Sequence, residues 1–177
     1  NEALKHSGHG SSCGCSGGKT IDFKIDMKQV EEAASNIIPL ITEEEIGVDM
    51  PSELRQWPVQ MHLINPMASY FQNADVVLAA DCVAFSMGNF HQKFLKNRAL
   101  AIACPKLDSN KDVYIDKLTT MIGTAKIKSL IVPIMEVPCC GGMIQMAKIA
   151  REKAGSDLSI KKIVVGIKGE ILTEEFV

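Results

Sequence analysis

Four of the six cysteines in this chain each stand at the end of a run of apolar residues. These four are Cys82, Cys104, Cys139 and Cys140. Continuous apolar runs that alternate with helical periods are typical of parallel strands buried on both faces. Because ligands of open parallel sheets bind outside the carboxyl ends of the strands, we expect the four thiols to face one crevice.

Four thiolates in one crevice are soft ligands that select iron–sulfur clusters or zinc. Zinc sites usually contain close Cys-x-x-Cys pairs, and this chain has none. Widely separated single cysteines with one adjacent pair favour a larger group, so the expected cofactor is an iron–sulfur cluster of the [4Fe-4S] type. Since no pair of general acid and base stands out, an electron carrier or redox accessory protein is expected rather than a stand-alone enzyme.

Three alternatives remain open. The same thiolates could hold a structural zinc ion in a domain that binds a protein partner. Cys139 and Cys140 could instead form a strained vicinal disulfide that acts in thiol exchange. Cys82 or Cys104 could also be small apolar side chains that only fill the core.

Five residues near these cysteines have expected supporting roles. Gly141 and Gly142 open a helix and would let backbone N–H groups approach the sulfurs of a cluster. Asp81 would cap the helix that follows it or tune the site. Glu136 would face the crevice as a proton carrier or reach solvent, and Lys106 would offset the negative charge of the cluster.

Residues 1–20 are rich in glycine and serine, which predicts a flexible linker or junction. Four side chains of this tract are candidates for a second metal site, because two imidazoles and two thiolates satisfy a tetrahedral ion. They are His6, His9, Cys13 and Cys15. The tight Cys-x-Cys spacing argues for a plain linker instead. Since the chain opens at Asn1 without a methionine, we expect an upstream part to be missing.

The elements that must position the cysteines are strands alternating with helices. Strands are predicted at 59–64, 75–80, 99–103, 129–135 and 163–167. The pattern predicts a three-layer α/β domain over residues 52–177, with a mainly parallel four- to five-stranded sheet and helices on both faces. Pro133 indicates a bulge or an edge strand, and the acidic residues at the end are expected to fray. Residues 21–51 are expected to form an arm, with a helix at 27–37.

Composition excludes several classes of function. A net charge of -2 and a pI near 6.1, without a basic cluster, argue against nucleic-acid binding. The longest apolar runs are far shorter than the roughly 20 residues of a membrane span. Cysteines at the ends of elements, rather than in a disulfide framework, indicate a reducing compartment, and the cytoplasm is expected because no apolar leader is present. A homo-oligomer is possible.

Four segments resemble the carboxy-terminal domain of ferredoxin-type iron–sulfur proteins of anaerobes. They are LRQWPVQ at 54–60, AADC at 79–82, CPKLD at 104–108 and EVPCCGG at 136–142. In that family, a domain similar to residues 52–172 follows a module that binds two [4Fe-4S] clusters. The resemblance implies an iron–sulfur protein whose partner is a redox protein or an upstream ferredoxin-type module. The Cys-x-x-Cys-x-x-Cys run of that module is absent from this chain.

A looser similarity is to the cysteine motif of heterodisulfide reductase subunits. That motif opens with one cysteine and later has an adjacent pair, as Cys104 and Cys139-Cys140 do here. Its remaining cysteines are absent, so its disulfide-cleaving chemistry is not carried over.

Overall fold

The structure is a computed structural model that describes residues 21–22 and 50–177. The predicted helix at 27–37 and the tract with His6, His9, Cys13 and Cys15 lie outside these residues. The strands are β1 (Ile21–Asp22), β2 (Gln56–Trp57), β3 (Asp75–Ala80), β4 (Ala99–Ala103), β5 (Ser129–Met135), β6 (Ile160–Val165) and β7 (Ile171–Phe176). The α-helices are α1 (Val83–Ser86), α2 (Lys111–Gly123) and α3 (Gly141–Lys153). Single turns of 3-10 helix occur at Ser69–Phe71 and Pro138–Cys140, and a π-helical turn at His91–Leu95.

Five strands form the central sheet in the order β4-β3-β5-β6-β7. β3 pairs parallel with β4 and β5, β5 pairs parallel with β6, and β7 runs antiparallel to β6. Helices α2 and α3 pack against each other on one face, and right-handed connections place α1 on the other face. The predicted three-layer α/β fold with a mainly parallel sheet is therefore confirmed.

The core is built from the apolar runs that predicted the strands. In β3 every residue from Val76 to Ala80 is buried, and each fully buried Val or Leu side chain contributes about 1.5–3 kcal/mol. One face of α3 covers the sheet with Met143, Met146, Ala147 and Ala150, all of them buried. These four residues share the helical face that their spacing of three and four residues predicts.

The order of the strands creates a topological switch point between β3 and β5. The chain passes from β3 outward to β4, then crosses back over β3 to β5 on its other side. In such sheets the ligand crevice opens at the carboxyl ends of the two strands that flank the switch point. The residues that follow β3 and β5 therefore decide what can bind there.

Pro133 lies in a central strand, so the expectation of a bulge or an edge at this residue was wrong. Leu130 and Glu136 both donate their N–H groups to the β6 side. Because N–H directions alternate along a strand, the N–H that Pro133 lacks would face β3. The pairing of β3 with β5 ends at Val77 and Ile131, just before this position. The proline thus lies where the two strands stop pairing and the crevice between them begins.

The predicted strand at 59–64 is wrong, because this segment lies along the outer edge of β4 without forming a strand. The Ile102 N–H donates to the Val59 carbonyl at 2.9 Å, and the Met61 N–H donates to the Ile102 carbonyl at 3.0 Å. The only ladder contact of this stretch is an isolated parallel bridge between Gln60 and Ile102. The segment therefore covers the edge of the sheet and ends beside the carboxyl end of β4.

Two long polar side chains hold this covering segment in place. Gln56 is fully buried, donates from Nε2 to the Leu100 carbonyl at 2.5 Å and accepts the Leu100 N–H at 3.3 Å. Lys117 of α2 donates from Nζ to three carbonyl groups at 2.8, 2.8 and 2.9 Å, those of Met61, His62 and Ile64. Burial lowers the pKa of Lys117.

The acidic residues at the end do not fray as expected, because they form β7 on the outer edge of β6. Lys161 pairs with Glu174 at 2.5 Å and Lys162 with Glu175 at 2.8 Å across the two strands. These cross-strand charge pairs, with the turn at 166–169, fix the register of an antiparallel strand.

Candidate functional site

The four cysteines of the described part of the chain lie on the turns that follow β3, β4 and β5. Cys82 directly precedes α1, and Cys104 directly follows β4. Cys139 and Cys140 lie in the 3-10 turn that leads into α3. All four therefore stand at the carboxyl edge of the sheet, and three of them flank the switch point between β3 and β5.

Three thiols border this switch point, and Cys140 is within electrostatic reach of Cys82 and Cys139. Cys140 is buried, while Cys82 and Cys139 are exposed. Burial raises the pKa of the Cys140 thiol, and the neighbouring Cys139 and Cys82 raise it further, against a hydrogen bond with the Met135 backbone that lowers it. Reactive cysteines have a lowered pKa, so Cys140 has the opposite of the property that a thiol nucleophile needs.

Cys104 occupies a closed turn made by the residues of the CPKLD motif. Asp108 Oδ2 accepts the Cys104 N–H at 2.8 Å, and the Asp108 N–H donates to the Cys104 carbonyl at 2.9 Å. Tyr114 of α2 donates its hydroxyl to the same Asp108 oxygen at 2.7 Å. Burial raises the pKa of Tyr114, and the hydrogen bond to the Asp108 carboxylate raises it further.

The turn of Cys104 touches the start of α3 through Pro105. A Cβ atom added at Gly142 would lie 3.1 Å from the Pro105 Cβ, whereas one added at Gly141 would meet nothing within 4 Å. On the other side, Lys111 donates from Nζ to the Pro105 carbonyl at 2.9 Å. Pro105 is therefore held between α2 and α3, and this contact joins the Cys104 turn to the Cys139-Cys140 turn.

This contact predicts different effects for two adjacent glycines. We expect Gly142→Ala to push Pro105 aside and to lower the free energy of unfolding by about 1 kcal/mol or more, as overpacking does. Gly141 is in the same helical turn but faces open space, so we expect Gly141→Ala to raise the free energy of unfolding by at most about 1 kcal/mol. Urea denaturation of the two variants measures the difference. Equal effects would mean that Gly142 does not hold the Cys104 turn.

Two of the expected supporting residues have other roles in the structure. The Gly141 N–H donates to the Pro138 carbonyl, so it is not free to approach a ligand. Glu136 is exposed, and its Oε1 accepts the Ile167 N–H at 2.9 Å. It therefore fastens the turn between β6 and β7 rather than facing the crevice. Lys106 is exposed on the Cys104 turn and is free to contribute positive charge there.

Asp81 does not cap the helix that follows it. The N-cap residue of α1 is Cys82, and no side chain caps this helix. Burial raises the pKa of Asp81, nearby Asp108 raises it further, and a hydrogen bond from the Gln60 side chain opposes the shift. The Asp81 carboxyl group thus faces the covering segment on β4, next to the Cys104 turn.

The turn between β6 and β7 packs against the end of α1. Gly169 has a φ of +89°, and a Cβ atom added there would overlap the Ser86 carbonyl oxygen. Since Ser86 ends the helix that Cys82 begins, this turn supports the loop that carries Cys82.

Large apolar side chains project from the turns around the cysteines. Phe85 is 92% exposed, Leu107 84%, Ile167 67% and Val137 38%. Each of the four turns at the carboxyl edge carries one of these residues. We call this set the apolar rim, and exposed apolar clusters of this kind mark interaction sites.

Sequence reasoning missed the residues that hold the Cys104 turn, which are Asp108, Tyr114 and Lys111. Lys111 could have been noticed in the sequence, because a lysine is unusual in the first turn of a helix, where acidic residues are favoured. Asp108 is part of the CPKLD motif, but its partners come from distant contacts that the sequence does not display.

Two kinds of arrangement are absent from the residues that the structure describes. Within residues 21–22 and 50–177, no three or more His, Cys, Asp or Glu side chains are grouped so that they could hold a single metal ion. In the same part of the chain, no helix has the length and apolar character needed to cross a membrane.

Comparisons with known proteins agree with the fold. The model of a protein family described as a Rossmann-like domain matches residues 68–177. An uncharacterized protein of Archaeoglobus fulgidus is 29% identical over 119 residues, which make up 67% of this chain and 83% of that protein. No solved structure matches the chain. The resemblances to ferredoxin-type proteins and to heterodisulfide reductase subunits stay predictions.

Proposed function

The chain belongs to the Rossmann-like domain family, and from this premise we propose that it binds an iron–sulfur cluster of the [4Fe-4S] type at the switch point of its sheet. The protein then acts in electron transfer or redox chemistry. One observation carries the proposal: Cys82 follows β3 and Cys139 and Cys140 follow β5, the two strands that flank this switch point. Cys104 on the adjoining turn is the proposed fourth ligand.

The donor set suits a cluster better than a single ion. A zinc ion needs its ligands within about 2.3 Å of the metal, and structural zinc sites usually contain close Cys-x-x-Cys pairs, of which this chain has none. A [4Fe-4S] cluster is held by four cysteine thiolates, one to an iron, so its ligands stand further apart. Thiols on three separate turns around one crevice fit that requirement.

The charges around the crevice favour an anionic group with thiolate ligands. α3 has 13 residues and begins directly after Cys140, so its N-terminus contributes partial positive charge. Lys111 lies against Pro105, and Lys106 is exposed on the same turn. These charges would offset both the negative cluster and the cost of ionising the buried Cys140 thiol. When bound, the cluster supplies a site that accepts and donates one electron.

The apolar rim supports a role in which the cluster exchanges electrons with another protein. Cys82 and Cys139 are exposed, so a cluster on these thiols would lie close to the surface. The rim residues lie at the same edge of the sheet as the cysteines and offer a partner an apolar contact. The expected partner is a redox protein or an upstream ferredoxin-type module, as the resemblance to ferredoxin-type proteins of anaerobes implies, in the cytoplasm.

Elemental analysis of the full chain after anaerobic purification tests the proposal. We expect iron and acid-labile sulfide in equal amounts, about four of each per chain, and little zinc. Stoichiometric zinc without sulfide would support the structural zinc domain instead. A metal-free protein that exchanges disulfides through Cys139 and Cys140 would contradict both metal hypotheses.

A further inference from the structure

A second concavity lies on the face of the sheet that α1 and the π-helical turn cover. It has a volume of about 180 Å³. Its walls come from the ends of β3 and β4, from α1 and the π-helical turn, and from the segment that covers the edge of β4. None of the four cysteines lines it, so this cavity is separate from the crevice proposed for the cluster.

The walls of this cavity are apolar except at two residues, Asp81 and His91. The His91 Nδ1 atom accepts the Glu53 N–H at 3.1 Å, which ties the His91 ring to the residues that precede the covering segment. Leu100 and Ile102 of β4 contribute the apolar floor. Such a lining favours an uncharged, largely hydrocarbon ligand.

Asp81 provides an unused hydrogen-bond acceptor. Gln60 donates to its carboxylate, but the Oδ1 atom is buried and has no hydrogen-bond partner among the described residues. A buried acceptor without a donor raises the free energy of the folded protein. A ligand in the cavity that brings a donor to Asp81 would recover this free energy.

We propose that the cavity binds a molecule of the size of one aromatic ring that carries a single hydrogen-bond donor, and that this donor bonds to Asp81 Oδ1. The size follows from volume, because an apolar cavity of about 150 Å³ holds benzene. The requirement for one donor follows from the unpaired Oδ1 atom of Asp81, because the other polar residue of the lining, His91, already accepts the Glu53 N–H at Nδ1. The proposal does not depend on the cluster.

Phenol and toluene are matched probes for this site, because they differ by a hydroxyl against a methyl group. We expect phenol to bind the full chain saturably in a titration followed by protein NMR. In Asp81→Asn, the ratio of phenol affinity to toluene affinity should fall by about tenfold, since a neutral acceptor makes the weaker hydrogen bond. Asp75→Asn, at the opposite end of β3, should leave the ratio unchanged.

A cavity-filling variant tests where the probes bind. Ala84 lines the cavity and is exposed, so Ala84→Phe should occupy the space without overpacking the core and should weaken both probes at least tenfold. Three results would overturn the proposal: wild-type protein that shows no saturable phenol binding, an unchanged affinity ratio in Asp81→Asn, or full phenol binding in Ala84→Phe.

Discussion

Replacing Cys82 with serine is expected to remove nearly all of the visible sulfur-to-iron absorption of the anaerobically purified protein. Serine offers a hard oxygen where the cluster takes a soft thiolate, and a ligand on the turn after β3 cannot be replaced from the turn after β5. Cys82 is exposed, so the substitution should leave the core and the free energy of unfolding nearly unchanged. Visible absorption, iron content and urea denaturation of the same preparation separate loss of the cluster from loss of the fold.

The other cysteines provide matched comparisons for this result. Cys139→Ser, also at an exposed position, should behave in the same way, and so should Cys104→Ser if it is the fourth ligand. The double variant Cys13→Ser/Cys15→Ser should keep its absorption, because four other thiols hold the cluster. An unchanged spectrum in Cys82→Ser would remove Cys82 from the ligand set. Loss of absorption only in the double variant would move the cluster to the tract at 1–20.

The parallel strands were predictable because each one is a single uninterrupted run of apolar residues. The runs 76–80 and 99–103 are apolar without interruption, so both faces of β3 and β4 had to be covered, and helices between the runs provide the cover. The cysteines follow from the same pattern, since a residue just after a parallel strand must lie at its carboxyl edge. Fold class and the position of the candidate site were therefore predictable.

β7 was missed because its residues do not look like a buried strand. Its six residues are exposed or only partly buried, and its stability depends on pairing with Lys161 and Lys162 of β6. The segment at 59–64, with Gln56 just before it, was misread for a related reason. Its hydrogen bonds run from the backbone and from Gln56 to β4, some 40 residues away. The spacing of apolar residues along the segment cannot indicate contacts at such a distance in sequence.

The turn of Cys104 shows why the site could be placed but not built from sequence. The CPKLD residues indicated a functional loop, yet the hydrogen bonds of Asp108 to Cys104 and Tyr114 require α2 to pack beside the loop. The contact of Gly142 with Pro105 likewise depends on the crossing of two helices. These contacts depend on how helices and turns pack on the assembled sheet, and local sequence does not determine that packing.

Gly169→Ala is expected to be among the most destabilising single substitutions in this domain. The left-handed conformation alone costs a residue with a Cβ about 1–2 kcal/mol. The added Cβ would also overlap the Ser86 carbonyl oxygen, and forcing such an overlap costs about 1–3 kcal/mol more. The combined loss of about 2–5 kcal/mol is a large part of the roughly 5–15 kcal/mol that stabilises a typical domain.

Gly155→Ala is the matched control for this substitution. Gly155 has a φ of +58°, and a Cβ there would meet nothing within 4 Å, so this variant carries the conformational cost without the overlap. Urea denaturation should therefore show a clearly larger loss for Gly169→Ala than for Gly155→Ala. Because the turn of Gly169 supports the loop of Cys82, only Gly169→Ala should also lower the visible absorption of the folded protein. Equal losses in both variants would mean that the turn between β6 and β7 does not press on α1, and that Cys82 is positioned without it.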